Sequence, residues 1–569
     1  MVQELEVVIR KHALKNAFDY GKASLNTVVG KVIAEKSEAK NNMEETMRLT
    51  NQIVEEVNKM KKEEIEKELG KYDFVVKKVE EEKKIRLGGV EYGKVVTRFL
   101  PEPNAPLHIG HAKAAFLSYE AAKEYWGKCI LRWDDTNPKK EKQEYVDEIR
   151  KSLAWLGLAF ASEGYASDKM PLFYRYAEQL INQGDAYACK CKKEKINESR
   201  EKGKACNCRS RSENDNLELW NEMLGGRAKK GDVVLRLKGN VGSLNTVMRD
   251  PTLFRIITTP HFRQGNKYRV WPTYDFEASI SDSLDGVTHA FRSKEYELRD
   301  ELYYYILNKL NLRKPIVYDF SRLNIKGTLL SKRALKPLIE GKKVSGMDDP
   351  RLPTLSGLRR RGILPEAIRS FVLSFGLSKV ESEPTWEALL AENRKMLDPV
   401  AERYFFVAEP ILLKVDKVKE GEAFLPKHPS KNLGQRRVGY SGRFYISKND
   451  ADKLQEREVL RLKDLFNVEL VKRGKTLSGR FAGKELIQDS KKLQWVSGKK
   501  GEFIEAEVLV PGDLFVDGKL NPKSLMVEKG YCEKACGELK KGSVIQFERF
   551  GFVKLDEKKR NKLVFIFTC

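Results

Sequence analysis

The sequence LHIGHAK at Leu107–Lys113 is followed by KCILRWDDTNP at Lys128–Pro138, and these stretches decide the fold. Two short apolar segments, KVVTRF from Lys94 and KCILRW from Lys128, flank a stretch of helical pattern between His111 and Trp126. Strand, helix and strand in that order begin a parallel sheet. The chain is therefore predicted to contain an open α/β domain.

Three prolines precede the histidines, at Pro101, Pro103 and Pro106. Proline fixes φ and disfavours helical geometry in the residue before it, so the connection is extended and the helix begins at about Ile109. The free amides and positive end of that helix face the carboxyl edge of the sheet, where open α/β folds bind ligands. A triphosphate fits this position.

The two histidines flank the predicted helix start. As hydrogen-bond donors, His108 and His111 can stabilise charge on an α-phosphate during displacement. Gly110 leaves room for a nucleotide to approach the backbone. A four-residue motif such as HIGH, at residues 108–111, also occurs by chance in unrelated chains. Both histidines are then ordinary structural residues.

Composition favours a large protein with an anionic partner. The 569 residues predict three to five structural units. Lys and Arg total 106 against 82 Asp and Glu, a formal net charge of +24. This excess favours nucleic acid as a partner, and a lysine-rich solvated surface is the alternative.

The sequence offers no membrane-spanning or signal segment. A span needs roughly 18 apolar residues in a row, and no stretch approaches that length. The amino-terminal MVQELEVVIRK mixes charges into its apolar positions. We expect a cytoplasmic protein without membrane contact.

The first 85 residues predict a helical bundle. Apolar residues recur at helical spacing in three segments, around Ala13–Phe18, Val28–Ile33 and Ile53–Met60. The charged run VVKKVEEEKKIR at Val75–Arg86 predicts a linker or a helix end, with a domain boundary near Gly88.

After Ala401 the pattern becomes alternating, as in YFFVAEPILLKVD and SVIQFERFGFVKLD. Alternation predicts antiparallel strands, which we interpret as two small barrels. Basic and aromatic residues interleaved on such a surface suit unpaired bases, which stack and hydrogen-bond when splayed out.

Four cysteines form two close pairs, CKC and CNC, at Cys189, Cys191, Cys206 and Cys208. Pairs at this distance can surround one tetrahedral ion, and four thiolates in a reducing compartment favour structural zinc. Unliganded cysteines are the alternative. Cys532 and Cys536 have no matching second pair and are expected to pack in a core.

The motifs resemble the glutamyl and glutaminyl branch of the class I aminoacyl-tRNA synthetases. The resemblance runs from about Thr97 to Ala401 and includes TRFLPEPNAPLHIGHAK, LRWDDTNP, VMRDP, YDFEASISDSLDGVTH, FSRLN, LLSKR and DDPRLPTLSGLRRRG. It implies a Rossmann-type catalytic domain with an inserted acceptor-binding domain. It also implies that activation waits for bound tRNA.

The stretch LLSKR at Leu329–Arg333 is similar to the family's KMSKS loop, although it departs from that pattern at three of five positions. Ser331 and Lys332 are the residues retained. With Gly327 upstream, Lys332 can move onto the phosphates as charge develops. Taken alone, SKR is a surface basic tripeptide.

The resemblance implies further contacts. In the family the first aspartate of DDTNP holds the substrate amino group, which corresponds to Asp134, and Tyr274 lines the same pocket. Arg98 matches an arginine that reaches the substrate side chain. The residues that match nucleotide contacts are Glu102, Asn104, His108, Gly110, His111, Lys113, Arg322, Leu323, Ser331 and Lys332.

Arg292, in HAFRSKEY, separates the two branches. In glutamyl enzymes the similar stretch has an arginine at the position of Arg292, whereas glutaminyl enzymes have a small neutral residue there. The guanidinium of Arg292 pairs with the side-chain carboxylate of glutamate. Beside glutamine, the N–H donors of the arginine would face the N–H donors of the amide. Glutamate is the predicted substrate, with a surface arginine as the alternative for Arg292.

The expected reaction joins L-glutamate to tRNA(Glu) with ATP and Mg²⁺. Barrel anticodon modules mark the archaeal type of this branch, which the chain resembles. Charging of tRNA(Gln) as well is left open. Two alternatives remain: a glutaminyl enzyme, and a non-catalytic tRNA-binding paralogue, which should have lost one of His108, His111 or Lys332.

The expected organisation has six parts. Arg359–Arg361 are interpreted as a phosphate-facing helix start, with a solvated charge run as the alternative. The predicted segments are a helical domain (1–87), the first half of the Rossmann domain (88–167), an inserted acceptor-end domain with the cysteines (168–271), the second Rossmann half (272–326), the SKR loop with a helical subdomain (327–400), and anticodon-binding barrels (401–569).

Overall fold

The computed structural model describes residues 2–69, 72, 85–328, 332–487 and 490–569. The chain forms two compact units, Met1–Glu82 and Lys83–Cys569. No helix within those described ranges is both long enough and apolar enough to cross a membrane. Residues 75–84 of the predicted charged linker lie outside the described part.

The first unit is a helical bundle, as its apolar spacing predicts. Its core includes Ala13, Val28, Val32 and Val57, which are all buried. These residues come from three helices, so each helix buries one stripe against the others. The helices are α1 (Val2–Tyr20), α2 (Leu25–Glu35), α3 (Met43–Lys59) and α4 (Lys62–Leu69).

The second unit begins with parallel strands. Strands β1, β2 and β3 pair in that order, each parallel to the next. Buried side chains from α5, including Ile109 and Phe116, pack with β2 in one core. The elements are β1 (Val96–Phe99), α5 (Ile109–Glu124), β2 (Lys128–Trp133), α6 (Gln143–Trp155) and β3 (Glu163–Tyr165).

An inserted region follows β3 and has its own core around Trp220 and Phe254. Its four strands are antiparallel, in the order β4-β5-β6-β7. The elements are α7 (Met170–Asn182), β4 (Ala186–Cys189), α8 (Lys193–Glu201), α9 (Glu213–Leu224), β5 (Val234–Leu237), β6 (Thr252–Ile256) and β7 (Val270–Pro272).

The chain then returns to the parallel sheet through α10 (Tyr274–Leu284), β8 (His289–Ser293), α11 (Asp300–Lys309) and β9 (Ile316–Phe320). Strands β8 and β9 are parallel. Thr288 joins them to β1, because its amide donates to the Val96 carbonyl at 2.8 Å and its carbonyl accepts from Ile316 at 2.8 Å. The strand order is β3-β2-β1-β8-β9, which confirms the predicted Rossmann-type fold.

A helical region comes next, and it corrects one prediction. The helices are α12 (Lys332–Glu340), α13 (Leu355–Arg361), α14 (Pro365–Leu373) and α15 (Trp386–Leu397). Arg359–Arg361 occupy the last turn of α13, not its start. Arg361 is buried, and Nε and one terminal nitrogen of Arg360 donate to the two carboxylate oxygens of Asp556 at 3.2 and 2.8 Å. Basic residues are favoured at a helix carboxyl end, where they complement the dipole.

The rest of the chain is β structure, as its alternation predicts. Two seven-stranded barrel-like sheets run β10-β25-β26-β27-β21-β24-β11 and β19-β16-β17-β18-β12-β15-β20, with hairpins β13-β14 and β22-β23. The elements are β10 (Arg403–Tyr404), β11 (Phe406–Ala408), β12 (Pro410–Asp416), β13 (Gly421–Pro426), β14 (Gln435–Tyr440), β15 (Arg443–Ser447), α16 (Lys448–Ala451), β16 (Val459–Leu462), β17 (Asn467–Lys472), β18 (Leu477–Phe481), β19 (Lys491–Leu493), β20 (Val496–Ser497), β21 (Phe503–Pro511), β22 (Phe515–Val516), β23 (Lys519–Leu520), β24 (Leu525–Glu533), β25 (Val544–Phe547), β26 (Gly551–Lys559) and β27 (Lys562–Phe567).

Candidate active site

The two histidines form the first turn of α5. The Nδ1 atom of His108 accepts a hydrogen bond from the Gly110 amide at 3.1 Å, and Nδ1 of His111 accepts from the His108 amide at 3.2 Å. The ring centroids lie 3.8 Å apart. Because both Nδ1 atoms are acceptors, we assign the proton of each neutral ring to Nε2. The turn therefore carries two adjacent Nε2–H donors.

Both rings are neutral at physiological pH. Burial lowers the pKa of His111 to about 4. Burial, followed by the charges of His111 and Arg322, lowers the pKa of His108 well below its usual range. The two donors consequently keep one protonation state between pH 6 and pH 8.

The histidine turn is held by the segment that precedes α13. The Ile109 amide donates to the Pro353 carbonyl at 2.9 Å, and the Leu355 amide donates to the Leu107 carbonyl at 2.8 Å. A Cβ on Gly110 would lie 3.3 Å from the carbonyl oxygen of Leu323. It would also lie 3.0 Å from the His108 ring, so a side chain at Gly110 would press on the histidine turn itself.

Lys113 is placed inside the protein, one turn further along α5. Its ammonium donates to the carbonyl of Ser321 at 2.8 Å and to the hydroxyl of Ser321 at 3.0 Å. The side chain is fully buried, and burial lowers its pKa to about 8. Lys113 therefore ties the helix to the end of β9, a role that the sequence did not suggest.

The carboxyl ends of four parallel strands carry the predicted contacts. Arg98 lies in β1, Asp134 follows β2, Arg292 lies in β8, and Arg322 follows β9. Carboxyl ends of parallel strands lie at one edge of a sheet, where this class of fold binds ligands. The fold brings together residues that are far apart in the sequence.

Arg98 is anchored by Asp282, on α10. Its Nε and one terminal nitrogen donate to the two carboxylate oxygens of Asp282 at 3.1 and 3.2 Å. Arg132 donates to the same carboxylate at 2.6 Å, and Tyr303 donates at 3.1 Å. Burial opposes ionisation of Asp282, but Arg98 and Arg132 outweigh it and lower its pKa to about 2.

Asp134 lies among other carboxylates. Burial, followed by the charges of Glu277, Glu102 and Asp135, raises its pKa well above the usual range, although Arg132 acts in the opposite direction. A group of carboxylates that destabilise one another favours a cation between them. This arrangement suits the ammonium group of an amino acid.

The guanidinium of Arg292 is surrounded by three tyrosine rings. Its guanidinium carbon is 5.9, 5.5 and 5.2 Å from the ring centroids of Tyr274, Tyr296 and Tyr303. One terminal nitrogen donates to Asp300 at 2.8 Å, while Nε is buried without a hydrogen-bond partner among the described residues. A buried guanidinium with a single carboxylate partner in the described ranges favours a second anion beside it.

The remaining residues predicted to contact the nucleotide differ in how far they are exposed. The Asn104 amide donates to the Glu102 carbonyl at 2.8 Å, so both belong to one turn. Leu323 is buried, whereas Arg322 is mostly exposed and lies 3.3 Å from Glu295. Ser331 lies outside the described residues. The backbone of Lys332 begins α12, and its side chain is likewise undescribed.

The four cysteines converge at the end of β4. Sulfur atoms of Cys189 and Cys206 are 3.8 Å apart, and those of Cys191 and Cys208 are 3.9 Å apart. All four sulfurs lie within 4.8 Å of one another. Zinc–sulfur bonds of about 2.3 Å in a tetrahedron give sulfur separations near 3.8 Å. The residues fit a Zn²⁺ ion.

Family comparison agrees with the geometry. Residues 94–399 match the model "tRNA synthetases class I (E and Q), catalytic domain", and residues 401–482 and 492–556 match two anti-codon binding domain models of that group. The chain belongs to the class I tRNA synthetases of the E and Q group. This confirms the predicted family.

Three relatives that align with this synthetase over nearly its whole length are all named glutamate–tRNA ligase. A glutamate–tRNA ligase of Nitrosopumilus maritimus is 44% identical over 99% of this chain and 100% of its own length. A glutamate–tRNA ligase of Pyrococcus furiosus is 41% identical over 99% and 100%. A third, from Sulfurisphaera tokodaii, is 39% identical over the full length of both chains. These relatives are archaeal, as the sequence predicted.

Sequence reasoning missed the residues that support the synthetase's arginines. Asp282 lies between two serines in the quoted stretch YDFEASISDSLDGVTH, which gives no sign that its carboxylate is buried. Asp300 and Asp319 carried no signal either, since aspartate is ordinary at a helix start and a single aspartate in a strand is ordinary on an exposed face. The proximity of Asp319 to Arg292 depends on the pairing of β8 with β9.

Proposed function

We propose that this synthetase activates L-glutamate with ATP and transfers it to the 3′ end of tRNA(Glu). One observation carries the choice of glutamate: a buried guanidinium, that of Arg292, at the same sheet edge as the carboxylates around Asp134. Arg292 lies in β8 and Asp134 follows β2, so both lie at the carboxyl edge of the parallel sheet. The pocket supplies a cation for the side-chain carboxylate and an anion for the α-ammonium.

In the first step, the α-carboxylate of glutamate attacks the α-phosphate of ATP and pyrophosphate leaves. We assign phosphate contacts to the Nε2–H donors of His108 and His111, which can bind oxygen atoms as negative charge develops. Lys332, with Ser331, supplies mobile positive charge. Mg²⁺, when bound, shields the phosphates. In the second step, a ribose hydroxyl of tRNA attacks the activated carbonyl and AMP leaves.

The roles of Arg98 and Lys113 are refined by their contacts. Arg98 has three of its five donor positions occupied by Asp282 and the Phe291 carbonyl. Two donors remain for a substrate carboxylate. The ammonium of Lys113 is held by Ser321, so we propose that it positions the end of β9 and acts on the nucleotide indirectly.

The glutaminyl alternative is disfavoured by the same pocket. A glutamine amide offers Arg292 one neutral acceptor in place of a carboxylate and brings its own N–H donors toward those of the guanidinium. An unpaired buried polar group costs about 1 to 3 kcal/mol, which corresponds to roughly tenfold to a hundredfold selectivity. The paralogue alternative is disfavoured because His108, His111 and Lys332 are all present.

We also propose that the four clustered cysteines bind a structural Zn²⁺ ion. Arg236 donates toward the sulfurs of Cys189 and Cys206 at 3.9 and 3.7 Å, a contact that favours thiolates. Metal analysis of the purified chain should give one zinc per molecule. Cys206→Ser should lose it, whereas Cys532→Ser, in a distant core, should retain it. Equal zinc content in both variants would contradict the proposal.

We also propose roles for two domains. The inserted region (168–271) receives the tRNA acceptor end, and the carboxyl-terminal sheets (401–569), which match the anti-codon binding domain models, bind the anticodon. We propose a cytoplasmic location.

The experiment is aminoacylation with labelled glutamate or glutamine, using purified tRNA(Glu) and tRNA(Gln). We expect glutamate to be attached to tRNA(Glu) and glutamine to be rejected. Charging of tRNA(Gln) with glutamate would extend the activity to both tRNAs. Arg292→Cys should remove the preference for glutamate, and an unchanged preference would refute the assignment of the pocket.

A further inference from the structure

Arg292 has one ion-pair partner among the described residues, and that partner is Asp300. Asp300 is the first residue of α11, 22% exposed, whereas Arg292 is 2% exposed. Asp319 faces Arg292 across the sheet, because the two residues are paired in the register of β8 and β9. Both carboxyl groups therefore lie beside the same arginine, and burial together with the charge of Asp319 raises the pKa of Asp300.

These contacts form a chain of four charged groups. Arg292 donates to Asp300 at 2.8 Å, and the ammonium of Lys379 lies 3.3 Å from Oδ2 of Asp319. The Oδ1 atom of Asp319 is buried without a hydrogen-bond partner among the described residues, so it is available to accept a hydrogen bond from a protonated carboxyl group. Two carboxylates in contact repel unless one holds a proton. A proton on Asp300 would let its hydroxyl donate to Asp319 while its carbonyl oxygen still accepts from Arg292.

The protonation of Asp300 decides how much positive charge Arg292 offers. When Asp300 is ionised, its negative charge neutralises the positive charge of the Arg292 guanidinium. A substrate carboxylate is then only weakly attracted to Arg292. When Asp300 is protonated, it still orients the guanidinium, and the full charge faces the pocket. The carboxyl pair can therefore fix the geometry of Arg292 without cancelling its charge.

We propose that Asp300 and Asp319 form a proton-sharing pair that positions Arg292 and keeps its charge available to the side-chain carboxylate of the substrate. This inference rests on the proposed function, because it assumes that Arg292 binds that carboxylate. Asp300 and Asp319 are positioning residues, since they act through Arg292.

The pair makes glutamate binding depend on pH. Burial, with Asp319 adding to it and Arg292 opposing it, raises the pKa of Asp300 to about 7. As pH rises through this value, Asp300 ionises and KM for glutamate increases. The groups that face Asp300 or Arg292 from neighbouring elements are Tyr274, Asp282, Tyr296, Tyr303, Tyr304, Asp319 and Lys379, with Glu297 bound to Lys379.

Steady-state aminoacylation between pH 6 and pH 8 tests the pair. For the wild type, we expect KM for glutamate to rise with pH, by at most about tenfold per pH unit for one proton, while kcat changes little. Asp300→Asn keeps an acceptor for Arg292 and a donor for Asp319, so KM should stay low and lose its pH dependence. Asp300→Leu removes the acceptor and should raise KM about tenfold.

Asp319→Asn completes the test. Without its carboxylate neighbour, Asp300 ionises at lower pH, so KM should be high already at pH 6. Glu301→Gln, the next residue on α11, is the matched control and should behave as wild type. A purely structural role predicts equal losses in Asp300→Asn and Asp300→Leu, with wild-type pH dependence in both, and that result would overturn the proposal.

Arg292→Cys separates the two levels of inference. If it leaves the preference for glutamate unchanged, the proposed function of the pocket fails. If it removes the preference but the Asp300 and Asp319 variants show wild-type KM profiles, the pocket assignment stands and the carboxyl pair is refuted.

Discussion

The main-chain amide of Phe515 donates a hydrogen bond to the carbonyl of Gly327 at 3.2 Å. Phe515 belongs to the β22-β23 hairpin of the carboxyl-terminal region, and Gly327 lies just before the SKR loop. Leu514 and Leu520 of the same hairpin region pack against Leu335 of α12. The hairpin thus holds both sides of the loop that we assign to the phosphates.

Gly327→Ala should impair activation more than stability. Gly327 has φ of +77°, and an added Cβ would lie 3.1 Å from the Phe515 carbonyl oxygen. The conformation costs an alanine about 1 kcal/mol, and the contact displaces the loop. Pyrophosphate exchange with tRNA present should fall at least severalfold. Gly376→Ala, with φ of +55° and no atom within 4 Å, carries similar strain and should retain activity.

Lys332→Ala should reduce adenylate formation by about a hundredfold, the typical cost of losing one charge-stabilising donor. The affinity for glutamate should change little, because Lys332 is assigned to the phosphates. Lys336→Ala, an exposed lysine on the same helix paired with Glu340, is the control. Pyrophosphate exchange at the wild-type rate would remove Lys332 from the mechanism. Omitting tRNA from the wild-type assay tests whether activation requires it.

His111 should make the catalytic domain sensitive to acid. Its pKa is lowered by burial to about 4, so between pH 4 and 6.5 the unfolded chain binds more protons at this site than the folded chain. Stability is therefore lost as pH falls, by up to about 1.4 kcal/mol per pH unit. Calorimetry should show a smaller drop in Tm from pH 7 to pH 5 in His111→Asn. An equal drop would contradict the burial of a neutral ring.

Asp282→Asn should be among the most damaging single changes in the pocket. It leaves Arg98 and Arg132 buried without their shared carboxylate, and breaking such a pair costs about 3 to 5 kcal/mol. Tm should fall by several degrees and KM for glutamate should rise. Asp285→Asn, which removes a partly exposed partner of Arg132, should have a smaller effect. Similar losses in both variants would argue against a central role for Asp282.

Much of the fold followed from local pattern. The spacing of Ala13, Val28 and Val57 predicted helices whose stripes are buried, because a helix must hide its apolar face. Alternation after Ala401 predicted strands for the same reason. Arg359–Arg361 were misread, since a run of arginines does not reveal whether it begins or ends a helix.

The sequence by itself determined the family, the order of strands and helices, and the candidate groups that we assign to the substrates. These are properties of residues close together in the chain, such as the histidine turn and the paired cysteines. Tertiary structure alone decided the protonation of those groups. Asp282 reaches Arg98, and Asp319 reaches Asp300, only when β1, β8 and β9 pair and exclude water. Desolvation and neighbouring charge depend on three-dimensional distance, which the order of residues does not contain.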